Sequence, residues 1–321
     1  MTREHVLVTG GAGFIGSHVC EALIAAGIPV VVLDDLSIGS RDNLPRDVTF
    51  YEGDVRDHRA VEAVLTDDVL SVIHLAARVT IRGSAQAYDE DCDVNLMGTL
   101  NVLKLVAQRS VQRFIFASSM AIYADSAAPM PVHETHLQEP LSPYGLSKLA
   151  AERYLQMLCP QLGMELVILR LFNTYGPRQK YTPYVGVINI FSQLLAEGQR
   201  PTIYGDGNQC RDFVYVGDVA WALSQSASRP GLNGIFNIGT GIATSVNQLV
   251  SLLSERICPG IEPIYRKRHP VELVNSIADV TAARRALEYK PQGRLETHVD
   301  TVLEWIGDSQ KNIHRGQRHY P

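Results

Sequence analysis

The 321-residue chain is 45% hydrophobic and 20% charged with a formal net charge of −5, which excludes disordered, collagen-like and disulfide-stapled chains and leaves room for about two globular domains. The acidic balance argues against a nucleic-acid partner, and no apolar run reaches the ~18 residues that span a bilayer. No signal-peptide layout follows Met1, and the five cysteines (Cys20, Cys92, Cys159, Cys210, Cys258) are scattered without a CxxC pair, so the expectation is a cytoplasmic protein with reduced, mostly buried thiols and no metal site.

Val6-Leu7-Val8 reads as a first strand, and Gly10-Gly11-Ala12-Gly13-Phe14-Ile15-Gly16 follows at once. Glycines at this spacing permit a tight turn and close backbone approach to a pyrophosphate, while the helix beginning near Phe14 aims its N–H groups at the phosphates. The next strand, Val30 to Leu33, ends in Asp34-Asp35. An acid about 20 residues into such a unit accepts from the adenosine ribose 2′-hydroxyl and repels a 2′-phosphate, so NAD is expected over NADP. A third strand, Val48 to Tyr51, leads to Asp54, which reads either as an adenine contact or as the N-cap of the next helix. Strands at Val72 to Leu75 and Phe114 to Phe116 continue the alternation. Continuous apolar strands separated by helices predict an α/β fold, a Rossmann-type doubly wound parallel sheet buried on both faces.

Ser118-Ser119 closes the Phe114 strand, on the carboxyl edge where open α/β sheets bind ligands. His133 and His136 stand three apart in a proline-flanked loop, not four apart on a helix, so no zinc motif is read there. Tyr144 and Lys148 lie at i and i+4, on one face of a helix that opens at Pro143. A cation one turn from a phenol, joined by that of bound NAD⁺, favours the phenolate; lowering a tyrosine from about 10 to near 7 takes about 4 kcal/mol. Beyond Leu171 prolines and glycines crowd the chain, marking a smaller, loop-rich substrate lobe. Phe213 to Val216 and Gly234 to Ile238 are expected to return to the first sheet. The resulting division is 1–172 plus 213–241 for the NAD-binding domain, 173–212 plus 242–307 for the lobe, and 308–321 for a frayed polar tail.

Further motifs stand in order along the chain: Gly53-Asp54-Val55, His74-Leu75-Ala76-Ala77, Asn95-Leu96-Met97-Gly98, Arg170-Leu171-Phe172-Asn173-Thr174-Tyr175-Gly176-Pro177-Arg178, and Tyr204-Gly205-Asp206-Gly207 leading to Arg211-Asp212-Phe213. With the glycine loop, Ser119 and Tyr144/Lys148, they make residues 5 to 305 resemble the extended short-chain dehydrogenase/reductases of the NAD-dependent epimerase/dehydratase family, most nearly UDP-hexose 4-epimerases. The resemblance implies that Tyr144 is the base on the sugar hydroxyl, that Lys148 holds the nicotinamide ribose and that Ser119 bonds the same hydroxyl as Tyr144. It implies Gly10, Gly13, Phe14, Ile15, Gly16, Asp34, Asp35, Asp54, Val55, Leu75, Ala76, Ala77 and Asn95 around NAD. On the UDP-sugar side it implies Val79, Asn173, Gly186, Val187, Tyr204, Arg211 on the diphosphate, and Glu272. Where relatives usually carry an Arg and an Asp, this chain has His269 and Glu272. Aligning on Ala278-Asp279 puts Ser276 at a gate whose size admits or excludes a C2 N-acetyl group; the other reading of Ser276 is a cap for a helix near Asp279. The resemblance also implies a homodimer through the helices around Asn95 to Ala107 and Tyr144 to Leu158, each apolar on more than one face.

Met120 and Ala121 occupy the places where sugar 4,6-dehydratases of the family carry an Asp-Glu pair, and the glutamate of its decarboxylases is missing as well. Without an added acid or base, the expected reaction is NAD-dependent 4-epimerisation of UDP-Glc/UDP-Gal, extending to UDP-GlcNAc/UDP-GalNAc. It proceeds by C4 oxidation, rotation of the ketose and reduction of its other face. The alternatives are a UDP-glucuronate 4-epimerase, whose kind tends to carry Thr in place of Asn173, and a keto-sugar reductase, whose usual NADP Asp34 disfavours. An NAD-sensing regulator would lack Tyr144 or Lys148.

Overall fold

The computed structural model describes residues 4–79, 87–126, 128–180, 186–268 and 273–316, with side chains to Gly307. Its strands are β1 (His5–Thr9), β2 (Val30–Asp34), β3 (Thr49–Glu52), β4 (Val69–His74), β5 (Arg113–Ser119), β6 (Glu165–Leu171), β7 (Asn173–Tyr175), β8 (Thr202–Tyr204), β9 (Cys210–Arg211), β10 (Phe213–Tyr215), β11 (Gly234–Ile238), β12 (Thr244–Ser245), β13 (Ile264–Arg266) and β14 (Asn275–Ser276). The helices are α1 (Phe14–Ala25), α2 (His58–Val64), α3 (Tyr88–Cys92), α4 (Thr99–Val106), α5 (Pro143–Gln161), α6 (Val187–Ala196), α7 (Val216–Ser228), α8 (Val246–Ile257), α9 (Thr281–Leu287) and α10 (Leu295–Gly316), with a wide π-type turn at Asp93–Gly98 between α3 and α4.

Seven parallel strands form the main sheet in the order β3-β2-β1-β4-β5-β6-β11. Alternate side chains feed two cores. Val6, Val8, Val32, Ile73 and Ile115 pack with α1 and α7 on one face. Leu7, Leu33, Val72, Phe114 and Phe116 pack with α2, α4 and α5 on the other. Burial on both faces is why these strands read as continuous apolar runs. The order reverses between β1 and β4, which opens a crevice at the carboxyl edge. At that point the loops after β1 and β4 nearly touch: a Cβ on Gly10 would lie 2.7 Å from the Ala76 nitrogen, and Gly10 takes φ +71°. A third core joins Phe191 and Leu195 of α6 to Leu249 and Leu253 of α8 and Val299 and Val302 of α10.

Of the two runs expected to rejoin the first sheet, Gly234–Ile238 does so and Phe213–Tyr215 does not. It pairs instead with Asn173–Tyr175 in a separate two-stranded ribbon. There Phe213 and Tyr175 bury themselves in the third core, so their apolar surface is already satisfied off the main sheet. Of the tail expected over 308–321, residues 317–321 lie outside the described ones and the part before them is helical. Helix α10 runs to Gly316, because Asp308 to Arg315 holds no glycine or proline to stop it. Among the cysteines only Cys20 and Cys159 are buried, Cys210 and Cys258 are partly so, and Cys92 is exposed. No helix among the described residues is long and apolar enough to cross a membrane.

Helix α5 is fixed to the sheet from within. Arg170 on β6 and Glu152 on α5 are both fully buried and meet in a two-pronged pair, Nε to Oε1 at 3.0 Å and Nη2 to Oε2 at 2.7 Å. The remaining Arg170 nitrogen, Nη1, donates to the Tyr123 hydroxyl at 2.9 Å and the Glu134 carbonyl at 2.7 Å. Tyr123 in turn donates to Asn237 on β11. Removing one member of such a pair strands a buried charge, so Glu152→Ala is expected to cost about 3–5 kcal/mol in urea unfolding, whereas an exposed carboxylate such as Glu62→Ala should cost less than about 1 kcal/mol.

Candidate active site

Helix α1 starts without help from side chains. Its N-cap is Gly13, no side chain caps it and no acid lies in its first turn, so its leading N–H groups face the crevice with the positive end of the helix dipole behind them. A Cβ on Gly16 would lie 2.2 Å from the Gly10 carbonyl oxygen. Asp34, buried at the end of β2, accepts from the Ala12 N–H at 2.9 Å with one oxygen and from the Leu36 N–H at 2.8 Å with the other. Burial raises its pKa while these bonds pull it down. Asp35 points away and closes a local turn onto the Ser37 N–H and hydroxyl. Asp54 holds Arg56 through both oxygens. Asp57, not Asp54, caps α2, which removes the capping reading of Asp54. Val55 is buried and packs towards Gly98.

Ser119 ends β5, Tyr144 opens α5 one residue after its N1 proline, and Lys148 follows one turn on. All three are buried. Burial pushes the Tyr144 phenol up to about 12, against a hydrogen bond from Ser119 that draws it down. Burial also lowers Lys148 to about 7, with Glu152, one further turn along, pulling it back up. The protein alone therefore reverses the electrostatics expected from the sequence: a desolvated lysine gives up part of the charge that was to favour the phenolate. Its ammonium sits 4.3 Å from the centre of the Phe116 ring.

Beneath it, His74 stacks on Phe116 and bridges two threonines, Nδ1 to Thr9 Oγ1 at 2.7 Å and Nε2 to Thr99 Oγ1 at 3.0 Å. Thr99 donates its own proton to the Asn95 carbonyl, so it accepts from Nε2–H and the tautomer is fixed. Burial and the nearby Lys148 charge lower His74 to about 3, and it stays neutral. Asn95, expected at the cofactor, lies in the π-type turn with its amide committed to the protein: it bonds the Arg78 N–H, the Arg78 carbonyl and Ser147 Oγ. It joins the loop that continues past Leu75, Ala76 and Ala77 to the back of α5.

On the lobe side, Asn173 donates through Nδ2 to Ser276 Oγ at 3.1 Å. The capping reading of Ser276 fails, because α9 starts after Val280 without a side-chain cap and Asp279 takes the Thr281 N–H. Arg211 reaches the Val274 carbonyl at 3.0 Å. Gly186, in the left-handed region, precedes Val187 at the start of α6. Val79 and Tyr204 are each 37% exposed. His269 and Glu272 lie outside the described residues. Sequence reading missed Glu152 and Arg170, although Tyr144, Lys148 and Glu152 form an unbroken i, i+4, i+8 series. It also missed Asp91, fully buried in an ion pair with Arg78 and close enough to Tyr144 to help raise its pKa.

Residues 6–239 match the family model for the NAD dependent epimerase/dehydratase family. The chain belongs to that family. Three solved structures show the likeness over nearly the whole length. UDP-glucose 4-epimerase from Thermotoga maritima with UDP-glucose is 38% identical, with 95% of this chain and 99% of that one covered and a TM-score of 0.91. UDP-N-acetylglucosamine 4-epimerase from Methanobrevibacter ruminantium in complex with UDP-N-acetylmuramic acid is 33% identical over 96% and 100%, TM-score 0.89. Thermus thermophilus UDP-glucose 4-epimerase in complex with NAD is 35% identical over 94% and 98%, TM-score 0.86.

A dinucleotide fits the residues of this crevice. The uncapped α1 terminus supplies N–H donors, Gly10 and Gly16 leave no room for side chains where the turn closes, and the Asp34 carboxylate, set by backbone N–H groups of both loops, lies at the end of β2 beside them. The depressed Lys148 gives a stability test. Between its ordinary 10.5 and about 7 the unfolded chain takes up a proton that the folded chain refuses, so burying Lys148 destabilises the fold increasingly as pH falls through that window and by a constant amount below it. In nucleotide-free protein, Lys148→Met should therefore raise Tm over the parent near pH 7, with the gap closing towards pH 10. A gap that does not change with pH would refute the assignment.

Proposed function

We propose that the chain is an NAD-dependent 4-epimerase of UDP-hexoses. The observation that carries this reading is the turn after Ser119: it contributes Met120 and a buried Ala121 and no carboxylate, so that turn brings no second acid–base group for elimination or decarboxylation. Bound NAD supplies the hydride acceptor and donor at the sugar's C4. Tyr144 Oη takes the C4-hydroxyl proton and later returns it, Ser119 orients that hydroxyl, and Lys148 holds the cofactor's ribose and biases the phenol towards its anion. Asp34, with no 2′-phosphate tolerated beside its carboxylate, favours NAD. Arg211, Asn173, Gly186, Val187 and Tyr204 form the nucleotide-sugar side. A second copy of the chain covers the exposed Met97 in the π-type turn and Leu146, Tyr154 and Met157 on α5, around a groove lined by Leu100, Leu103 and Leu158.

Tyr144→Phe should lower kcat by roughly 10²- to 10⁴-fold and leave NAD bound, as read by nucleotide released on denaturation; near-parental turnover would remove Tyr144 from the mechanism. The C2 question rests on Ser276, a small side chain tied to Asn173 where a tyrosine would add bulk. With UDP-Glc, UDP-GlcNAc and UDP-GlcA assayed side by side, the parent should epimerise the first two, and Ser276→Tyr should lose UDP-GlcNAc selectively. Equal losses on both sugars, or turnover confined to UDP-GlcA, would contradict this reading.

A further inference from the structure

Among the described residues three that are not glycine take positive φ, namely Leu36, Arg178 and Glu288. The last merely ends α9. The other two sit on loops that meet. Leu36 opens the loop after β2, which folds back on the glycine turn: the Ser40 N–H and the Asn43 amide both donate to the Ala12 carbonyl, at 3.1 and 3.0 Å, and Gly39 lies so close to Ala12 that a Cβ would come within 2.8 Å. Arg178, at φ +69° just beyond β7, crosses to that loop from the lobe side. Its Nη1 donates to the Asn43 carbonyl at 3.0 Å, and its Nη2 donates to His18 Nδ1 at 2.8 Å and Glu21 Oε2 at 2.6 Å, both on α1. His18 Nε2–H donates in turn to the Pro177 carbonyl at 3.1 Å, and Lys180 Nζ to the Gly39 carbonyl at 3.3 Å. Burial and the Arg178 charge hold His18 unprotonated, as an acceptor for the guanidinium requires.

Nothing in proton transfer or in sugar binding uses Arg178, yet it spans α1, the adenosine-side loop and the segment leading to α6. Backbone strain of this kind persists where the surroundings over-determine it. We propose that Arg178 is a clasp that holds the loop 36–43 against the glycine turn and so slows the escape of the dinucleotide, making it a positioning residue for cofactor retention. The proposal rests on the reading of the glycine turn as the dinucleotide site. Its use is chemical: an epimerase that loses reduced cofactor before the second hydride transfer strands its ketose.

Arg178→Gly removes the guanidinium while keeping a residue at ease at φ +69°, and Glu21→Gln weakens the same contact from the α1 side. Both are purified without added nucleotide. Bound NAD⁺ is then quantified after gel filtration, and its displacement by excess etheno-NAD⁺ is followed by fluorescence. Charge-assisted bonds of this kind should make displacement from Arg178→Gly roughly tenfold faster than from the parent, with a smaller change for Glu21→Gln, and added NAD⁺ should restore turnover to the parental kcat. Parental retention in both variants, or a kcat that saturating NAD⁺ fails to restore, overturns the clasp alone. A parent that carries no dinucleotide overturns the site itself and the clasp with it.

Discussion

The buried pair between Arg170 and Glu152 is the constraint on which the rest of this structure depends. It joins the strand at the sheet's carboxyl edge to the helix that carries Tyr144 and Lys148, with both partners at 0% exposure. Two charges survive there because each guanidinium nitrogen has a partner, among two carboxylate oxygens, a phenol and a carbonyl. The fork geometry fixes the rotation of α5 about its axis as well as its distance from the sheet, which a purely apolar contact does not do. Tyr144 and Lys148 project from the same helix face two turns and one turn before Glu152, so a correctly seated Glu152 seats them as well.

Desolvation governs the chemistry of that face. The burial of that face raises the phenol and lowers the ammonium, and both shifts oppose the charge state in which a tyrosine would act as a base. Glu152 counters part of this at Lys148, while the neutral His74, locked between Thr9 and Thr99, fills the space below without adding charge. In the chain alone, burial thus keeps the Tyr144 phenol protonated.

The segment after β14 is held to the main sheet both by apolar packing, with Ala278, Val280, Ala283 and Leu287 in the first core, and by side chains that bond backbone. Asp212, fully buried between β9 and β10, accepts from the Thr240 N–H and hydroxyl, the Gly241 N–H and the Ala278 N–H. One carboxylate thus ties the ends of β11 and β14 to the strand that leads out of the lobe. Arg178 does the corresponding work between the segment after β7 and α1, bonding the Asn43 carbonyl and Glu21. Such junctions add direction to the apolar packing, because a carboxylate accepts only along its lone pairs.

Much of this was legible in the residues. The glycine turn, the acid at the end of β2 and the parallel alternation of strands and helices are local: each follows from periodicity, from φ freedom or from an i, i+4 spacing, and the chain cannot fold those stretches otherwise without burying unpaired backbone. Tertiary structure alone decided which apolar run returned to the sheet, because Phe213–Val216 and Gly234–Ile238 look alike until the third core claims the first of them. It also decided that Asn95 bonds Arg78 and Ser147, and that Ser276 meets Asn173 across about a hundred residues of sequence instead of capping a helix. Above all, it decided the sign of the pKa shifts at Tyr144 and Lys148. A sequence shows which charges stand one turn apart, but how much water remains around them is a property of everything packed on top, and in this site the loss of water outweighs the charge nearby.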